Sequence, residues 1–230
     1  MKRILYILLA LFTLSACQQH ELAEHEECIL ELDIVRAHMP VVATRAIDTD
    51  LAIIILDDKG EEYLRYPAGE VPNKIVLRPG LFAIRAYTDN QTTWHTANNG
   101  KGEGCYYASQ LVQMEDDHTT RLTLSVPMTN YAVGVEFPDL FDELFTSYQL
   151  TLKSGSREVI IRDGENAYFS VADGGFTYAL SVTNADGSSY EHSPTQVTDV
   201  ENGKCYLLKY NYGFDTEPNA ISIEIASDFK

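Results

Sequence analysis

The chain has 230 residues, of which 45% are hydrophobic, and its 34 acidic and 17 basic side chains give a formal net charge of −17 at pH 7. Nucleic-acid binding requires clustered cations that replace the counterions on phosphate, and the sequence has no Lys/Arg cluster. Nucleic acid is therefore excluded as a partner. The same charge disfavours adsorption to anionic lipid, so membrane attachment needs a covalent anchor.

The first seventeen residues have the pattern of a cleavable signal peptide. Residues 1–3 are Met-Lys-Arg, an apolar stretch of about eleven residues follows, and the segment ends in Leu-Ser-Ala-Cys. This stretch is too short for a spanning helix, which needs about 20 residues. Leu14 to Cys17 resembles the bacterial lipobox. The resemblance implies cleavage between Ala16 and Cys17 and a diacylglycerol on the Cys17 sulfur, with palmitate-type acyl chains anchoring the protein in the membrane. An ordinary secreted protein is the alternative.

Residues 18–27 are polar, with four Glu and no Lys or Arg. Such a segment buries nothing and is expected to be a flexible tether. We therefore predict a signal peptide at residues 1–16, a lipidated tether at 17–27, a first domain at 28–128 and a second domain at 129–230.

Alternating apolar residues predict strands in the first half, at residues 30–34, 51–56, 61–66, 74–77, 82–86, 106–112 and 122–126. Residues 57–60, Asp-Asp-Lys-Gly, indicate a hairpin turn between the second and third of these strands. Calcium binding is the weaker interpretation of this turn, because the loop lacks a complete set of oxygen ligands.

The second half repeats this pattern, with predicted strands at residues 131–137, 147–153, 158–161, 167–171, 176–183, 204–210 and 221–225. Residues 139–145 have helical spacing after Pro138 and predict one short helix. Residues 75–88 parallel 170–183, and residues 113–121 parallel 197–204. The sequence thus predicts an all-β protein of two consecutive antiparallel β-sandwich domains, transthyretin-like or immunoglobulin-like, that meet near Met128–Asn130.

Two family resemblances follow from these stretches. Residues 76–86 resemble the turn-and-strand signature of transthyretin-like sandwiches, and residues 131–137 with 148–152 resemble an uncharacterised Bacteroidota lipoprotein family known as a domain of unknown function (4493-like). That resemblance implies an outer-membrane lipid anchor and no known activity, and it transfers no functional residue.

A looser resemblance is to the type V pilus subunits and anchors of the same bacteria. It implies proteolysis after Arg45 and removal of the first strand, so that a neighbour's strand would fill the groove. The alternative is that Arg45 is one exposed loop cation. Ile221, Ile223 and Ile225 alternate near the C-terminus and predict a strand that closes its own sheet, which departs from the pilus pattern.

Three cysteines remain beyond Cys17. Export makes a disulfide between Cys28 and Cys105 one expectation, and three buried reduced thiols, including Cys205, are the other.

The loop at residues 91–107 is a candidate ligand site because Trp94 stands beside His95, Asn98 and Tyr106. Aromatic faces with flanking amides suit a sugar, and long loops often carry function. Trp94 capping the end of a sandwich is the alternative.

No catalytic or metal-binding motif is complete, so we predict neither an enzyme nor a cofactor. The predicted function is a surface-displayed binding or adhesion lipoprotein of the outer membrane. Pilus assembly and glycan binding are the alternatives, and the expected partners are the membrane, other surface proteins, pilus subunits or glycans.

Overall fold

The computed structural model describes residues 27–36, 51–213 and 220–226, and these residues are almost entirely in strands and turns. The first half contains β1 Cys28–Arg36, β2 Ala52–Leu56, β3 Glu62–Tyr66, β4 Lys74–Leu77, β5 Gly80–Tyr87, β6 Tyr107–Met114 and β7 Thr119–Val126. The second half contains β8 Tyr131–Glu136, the helix α1 Phe141–Leu144, β9 Phe145–Ser154, β10 Arg157–Ile161, β11 Asn166–Phe169, β12 Phe176–Asn184, β13 Ser189–Glu191, β14 Thr195–Val197, β15 Cys205–Gly213 and β16 Ala220–Ala226.

The two halves share one topology. In the first half, one sheet has the order β4-β1-β7 and the other β3-β2-β5-β6. In the second half, the corresponding orders are β11-β8-β15-β16 and β10-β9-β12-β13, with β14 also pairing with β12. This repeat explains the self-similarity of the sequence, and the all-β fold predicted from alternation is confirmed.

Each half closes its smaller sheet with a parallel pair. Strand β1 runs parallel to β7, and β8 runs parallel to β15, while the other pairings are antiparallel among the described strands. A parallel pair needs a long crossover connection. In each half, that connection consists of all the strands between the first strand and its parallel partner. The first strand of each half is therefore added between strands that come later in the chain.

The buried side chains form two clusters, as alternation along the strands requires. One cluster draws on residues 28–126 and the other on residues 131–210. In the second, Tyr131 is fully buried between Phe169 and Phe176, and its hydroxyl bonds Ser154 Oγ at 3.2 Å. The linker around Met128–Asn130 lies between the two clusters.

Three details of the strands and the repeat differ from the sequence prediction. Strands β13 and β14 were missed, because three residues are too few to show alternation. Val171, predicted to end a strand, begins a 3-10 turn over Val171–Asp173. The aligned repeat is displaced by one residue, since buried Phe82 of β5 corresponds in face to buried Phe176 of β12 and not to Thr177, and a shift of one residue exchanges the two faces of a strand.

The helix is shorter than the predicted 139–145 and begins at Phe141. The amide of Phe141 bonds the carbonyl of Pro138 at 3.1 Å, and Leu140 has φ 69° and ψ 6°. These are the features of a type II turn over residues 138–141. Because Leu140 is left-handed, the helix cannot start before it.

The chain direction gives the molecule two distinct ends. Ile29 pairs with Thr119 and β1 runs parallel to β7, so Cys28 lies at the end of the first half remote from the linker. Strand β8 then leads away from the linker, so that α1 lies at the far end of the second half. We call the contact between the halves the junction, and residues 137–145 the tip.

Candidate functional sites: the junction and the lipid anchor

The base of the candidate ligand loop is closed by polar side chains. Gln91 Nε2 donates to the carbonyls of Thr88 at 3.2 Å and Tyr106 at 2.8 Å, and Thr88 Oγ1 accepts the Tyr106 amide at 3.1 Å. Asn90 Nδ2 donates to Glu103 Oε1 at 2.7 Å. The loop is therefore an ordered structure built on the ends of β5 and β6.

The top of the loop turns sharply through two left-handed residues. Asn98 has φ 51° and Asn99 has φ 57°, a conformation that Asn tolerates better than most residues. Asn98 Nδ2 then donates to the carbonyl of Gly102 at 2.9 Å. A Cβ at Gly102 would lie 3.3 Å from both the Trp94 ring and Tyr168 Cβ, so a glycine allows Trp94 and Tyr168 to approach.

Arg157 of β10 links this loop to the second half. Its guanidinium lies 5.1 Å from the centre of the Trp94 ring and 5.2 Å from that of Phe169. It donates to the carbonyls of Tyr168 at 2.5 Å, Gly100 at 2.7 Å and His95 at 3.3 Å. Burial lowers the pKa of Arg157, but an arginine stays charged at neutral pH.

A second polar link joins the same loop to β11 and the turn before it. Lys101 Nζ lies 2.5 Å from Glu165 Oε1, and the Lys101 carbonyl accepts the Tyr168 amide at 2.8 Å. Burial raises the pKa of Glu165, but the hydrogen bonds from Lys101 and the Arg162 amide outweigh it and the net pKa is lowered. The hydrogen bonds of Arg157 and Lys101 hold the loop against the second half.

Asn130 organises the linker itself. It is 2% exposed, its Oδ1 accepts the Cys105 amide at 3.0 Å, and its Nδ2 donates to the Glu103 carbonyl at 2.9 Å. Its own carbonyl accepts the Gly203 amide at 2.9 Å. One buried asparagine therefore connects the loop, the linker and the turn before β15.

The predicted ligand residues are thus brought together, but they contribute to the junction. Trp94 is partly buried, and one of its faces is covered by Arg157, while His95 meets the Trp94 ring edge-on at 5.8 Å. Asn98 is used within the loop, and Tyr106 packs against the first core. Sequence reasoning missed Arg157, Lys101, Glu165 and Tyr168, because no local pattern shows that these residues meet the loop.

Of the two expectations for the cysteines, the Cys28–Cys105 disulfide is not formed in this structure. Cys28 Sγ contacts the Glu115 carbonyl at 3.0 Å, beside the start of β7, while the Cys105 carbonyl accepts the Thr129 amide beyond the end of β7. A strand of eight residues at about 3.3 Å each separates the two sites, whereas a disulfide needs Cα atoms within about 7 Å. Burial raises the pKa of Cys105 and that of Cys205, the latter to about 12.

Three predicted site residues, Ala16, Cys17 and Arg45, lie outside the described residues. Within the described ranges, no three or more His, Cys, Asp or Glu side chains are grouped so that they could hold a metal ion. None of the described helices has the length and apolar character needed to cross a bilayer.

Comparison with known proteins decides the family. A family model described as a domain of unknown function (DUF4493) matches residues 26–229. The chain belongs to this family. A model of the prokaryotic membrane lipoprotein lipid attachment site matches residues 1–18, so the DUF4493 protein is a membrane-anchored lipoprotein, as predicted. Lipidation at Cys17 and cleavage after Ala16 remain predictions. No curated protein matches the chain.

Solved structures share the fold at low identity. A candidate cell adhesion protein from Bacteroides uniformis is 11% identical with a TM-score of 0.51, and the alignment covers 88% of this chain and 99% of that one. A candidate cell adhesion protein from Bacteroides eggerthii (8% identical, TM-score 0.49, covering 88% and 95%) and the C-terminally truncated tip fimbrial protein Mfa3 from Porphyromonas gingivalis (10%, 0.45, 87% and 98%) are also similar. At these identities the similarity concerns the fold alone.

Proposed function

We propose that this protein is a lipid-anchored, non-enzymatic binding or adhesion protein displayed on the cell surface from the outer membrane. The observation that carries the proposal is that the start of β1 and the junction lie at opposite ends of the first half. In sequence, the predicted tether precedes β1, whose first residue lies at one end of the first half, and the junction holds the second half on the other end. This arrangement supports a second half that is held away from the membrane, where it can meet a partner. The fold is also that of the Bacteroides uniformis cell adhesion candidate.

Protease shaving of intact cells tests the display. Trypsin added to whole cells should remove epitopes of the second half, while a periplasmic control protein stays intact. A Cys17→Ser variant should leave the membrane fraction, since the acyl chains supply the attachment. Protection of the wild-type second half in intact cells, with cleavage only after lysis, would contradict surface display.

A pilus-type assembly subunit or anchor is the second candidate, and the position of β1 favours it. Strand β1 lies between β4 and β7, and it contributes Cys28 and Leu30 to the core. Removal of β1 would leave unpaired backbone on both neighbours, which is a template for a strand from another chain. Arg45 lies between β1 and β2 in sequence, outside the described residues.

Purification from intact cells tests this candidate. Assembly predicts SDS-resistant ladders for the wild type and their loss in Arg45→Ala, with Arg65→Ala as a matched control. Arg65 is exposed and bonds only Glu62 and Tyr87 in the same sheet. Monomeric wild-type protein with an intact first strand would refute assembly and leave the binding proposal standing.

A further inference from the structure

The tip presents two leucines to solvent at the end of the second half remote from the junction. Leu140 is 61% exposed and Leu144 is 49% exposed. Beneath them Phe141 is 5% exposed and packs on Phe137 at 4.2 Å and on Phe145 at 4.7 Å, measured between ring centres. The leucines therefore stand on a rigid aromatic base.

The backbone at Leu140 is strained to hold this arrangement. The third position of a type II turn requires positive φ, and Gly or Asn normally occupies it. A bulky residue there is an outlier, and such outliers cluster at functional sites. The Leu140 carbonyl also accepts the amides of Glu143 at 3.0 Å and Leu144 at 3.1 Å, which fixes the turn. A leucine thus occupies a position where glycine would be relaxed, with most of its side chain in water.

The charged side chains of the tip segment itself all have one sign. Residues 136–145 contain four carboxylates and no Lys or Arg. The nearest cation on a paired strand, Lys209 of β15, lies opposite Glu136 with its Nζ 3.7 Å from the carboxylate. A partner that buries the leucines must therefore place cations next to the carboxylates that surround them.

The internal repeat indicates what kind of partner fits. Strand β8 corresponds to β1 and β12 to β5, so the tip of the second half corresponds to the end of the first half that carries the Trp94 loop. In the first half, this end contacts the second half of the chain, whose Arg157 stacks on Trp94 and donates to the Gly100 carbonyl. In the second half, no described residue of the chain covers Leu140 or Leu144.

We infer that the tip is a docking surface for a protein partner that offers an apolar socket bordered by Lys or Arg. This inference rests on the proposed binding function and names the chemistry of its partner. The leucines supply the apolar contact, and the carboxylates of Asp142 and Glu143 favour a partner that has Lys or Arg beside its apolar socket.

A labelled amphipathic peptide of Lys and Leu serves as the probe. Lipidated protein in phosphatidylcholine vesicles should raise its fluorescence anisotropy, and Leu140→Ser/Leu144→Ser should weaken binding at least tenfold. Ile160→Ser is the matched control, because Ile160 is also 49% exposed in the second half but lies on β10, and it should bind like the wild type. Asp142→Asn/Glu143→Gln should weaken binding and reduce its salt dependence. Leu140→Gly should raise the melting temperature and still weaken binding.

Two outcomes would overturn the inference. One is equal binding of the peptide to wild type and to the double serine variant, which would assign binding to net charge alone. The other is an absence of peptide binding by the wild type. Cell adhesion assays separate this inference from the proposed function. If deletion of the whole protein abolishes adhesion and the double serine variant retains it, the binding function stands and the tip is not its site.

Discussion

Replacement of Arg157 by Ala should uncouple the loop at residues 91–107 from the second half. The change removes a guanidinium that stacks on Trp94 and donates to three carbonyls. The cation–π contact contributes about 1 kcal/mol when partly desolvated. A charged hydrogen bond contributes about 2 kcal/mol, and only the one to Tyr168 counts fully, because the His95 and Gly100 carbonyls are exposed and regain water. The expected loss is therefore about 3 kcal/mol.

Trp94 is the single tryptophan of the chain, so its fluorescence reports on the junction. In the wild type, urea unfolding followed by fluorescence and by circular dichroism should coincide. In Arg157→Ala, the fluorescence transition should move to lower urea by about 1.5 M, given a denaturant slope of about 2 kcal/mol per M. Circular dichroism should then show a second transition.

Lys153→Ala is the control, since Lys153 is an exposed cation on the adjacent strand β9. Coincident, unshifted transitions in Arg157→Ala would refute the view that this side chain couples the halves. A similar shift in Lys153→Ala would attribute the effect to net charge.

Three further predictions follow from the same structure. Because the pKa of Glu165 is lowered in the folded protein, its ion pair with Lys101 stabilises the junction fully above the unfolded pKa near 4.5. This stabilisation is lost as the pH falls through the lower folded pKa. Glu165→Gln should abolish this acid dependence of the Trp94 fluorescence transition. Gly175→Ala should lower the free energy of unfolding by roughly 3 kcal/mol in urea titrations, because its Cβ would lie 2.1 Å from the Val197 carbonyl oxygen. Cys205 should react with a thiol reagent only after unfolding, because it is buried.

The strands could be predicted because their alternation reflects a requirement of the core. Ile53 and Ile55, or Leu150 and Leu152, must point to the same side of a strand. Alternation also shows which residues point outward, but it does not show which outward surfaces a second domain will cover. Arg157 is more than fifty residues from Trp94 in sequence, and no spacing rule connects them.

The tip shows a different limit of sequence reasoning. Residues 138–145 have the apolar spacing of a helix, and Pro138 is common near helix starts. A type II turn would be signalled by Gly or Asn at its third position, and Leu140 gives no such signal. The prediction therefore placed the helix two residues too early, and the exposed leucine was assigned to a helical face. Where local preference and structure disagree, a functional constraint is the expected cause.

The repeat places the differences between the halves at corresponding ends. The connection between β5 and β6 spans residues 88–106, whereas the one between β12 and β13 spans residues 185–188. Conversely, β8 and β9 are joined by the α1 segment, which has no described counterpart in the first half. Strand alternation keeps the two cores alike, while connections vary at little energetic cost. The long loop of the first half contacts the second half, and the α1 segment of the second half forms the tip. These two connections thus distinguish a half that contacts the rest of the chain at its loop end from a half whose corresponding end leaves Leu140 and Leu144 exposed.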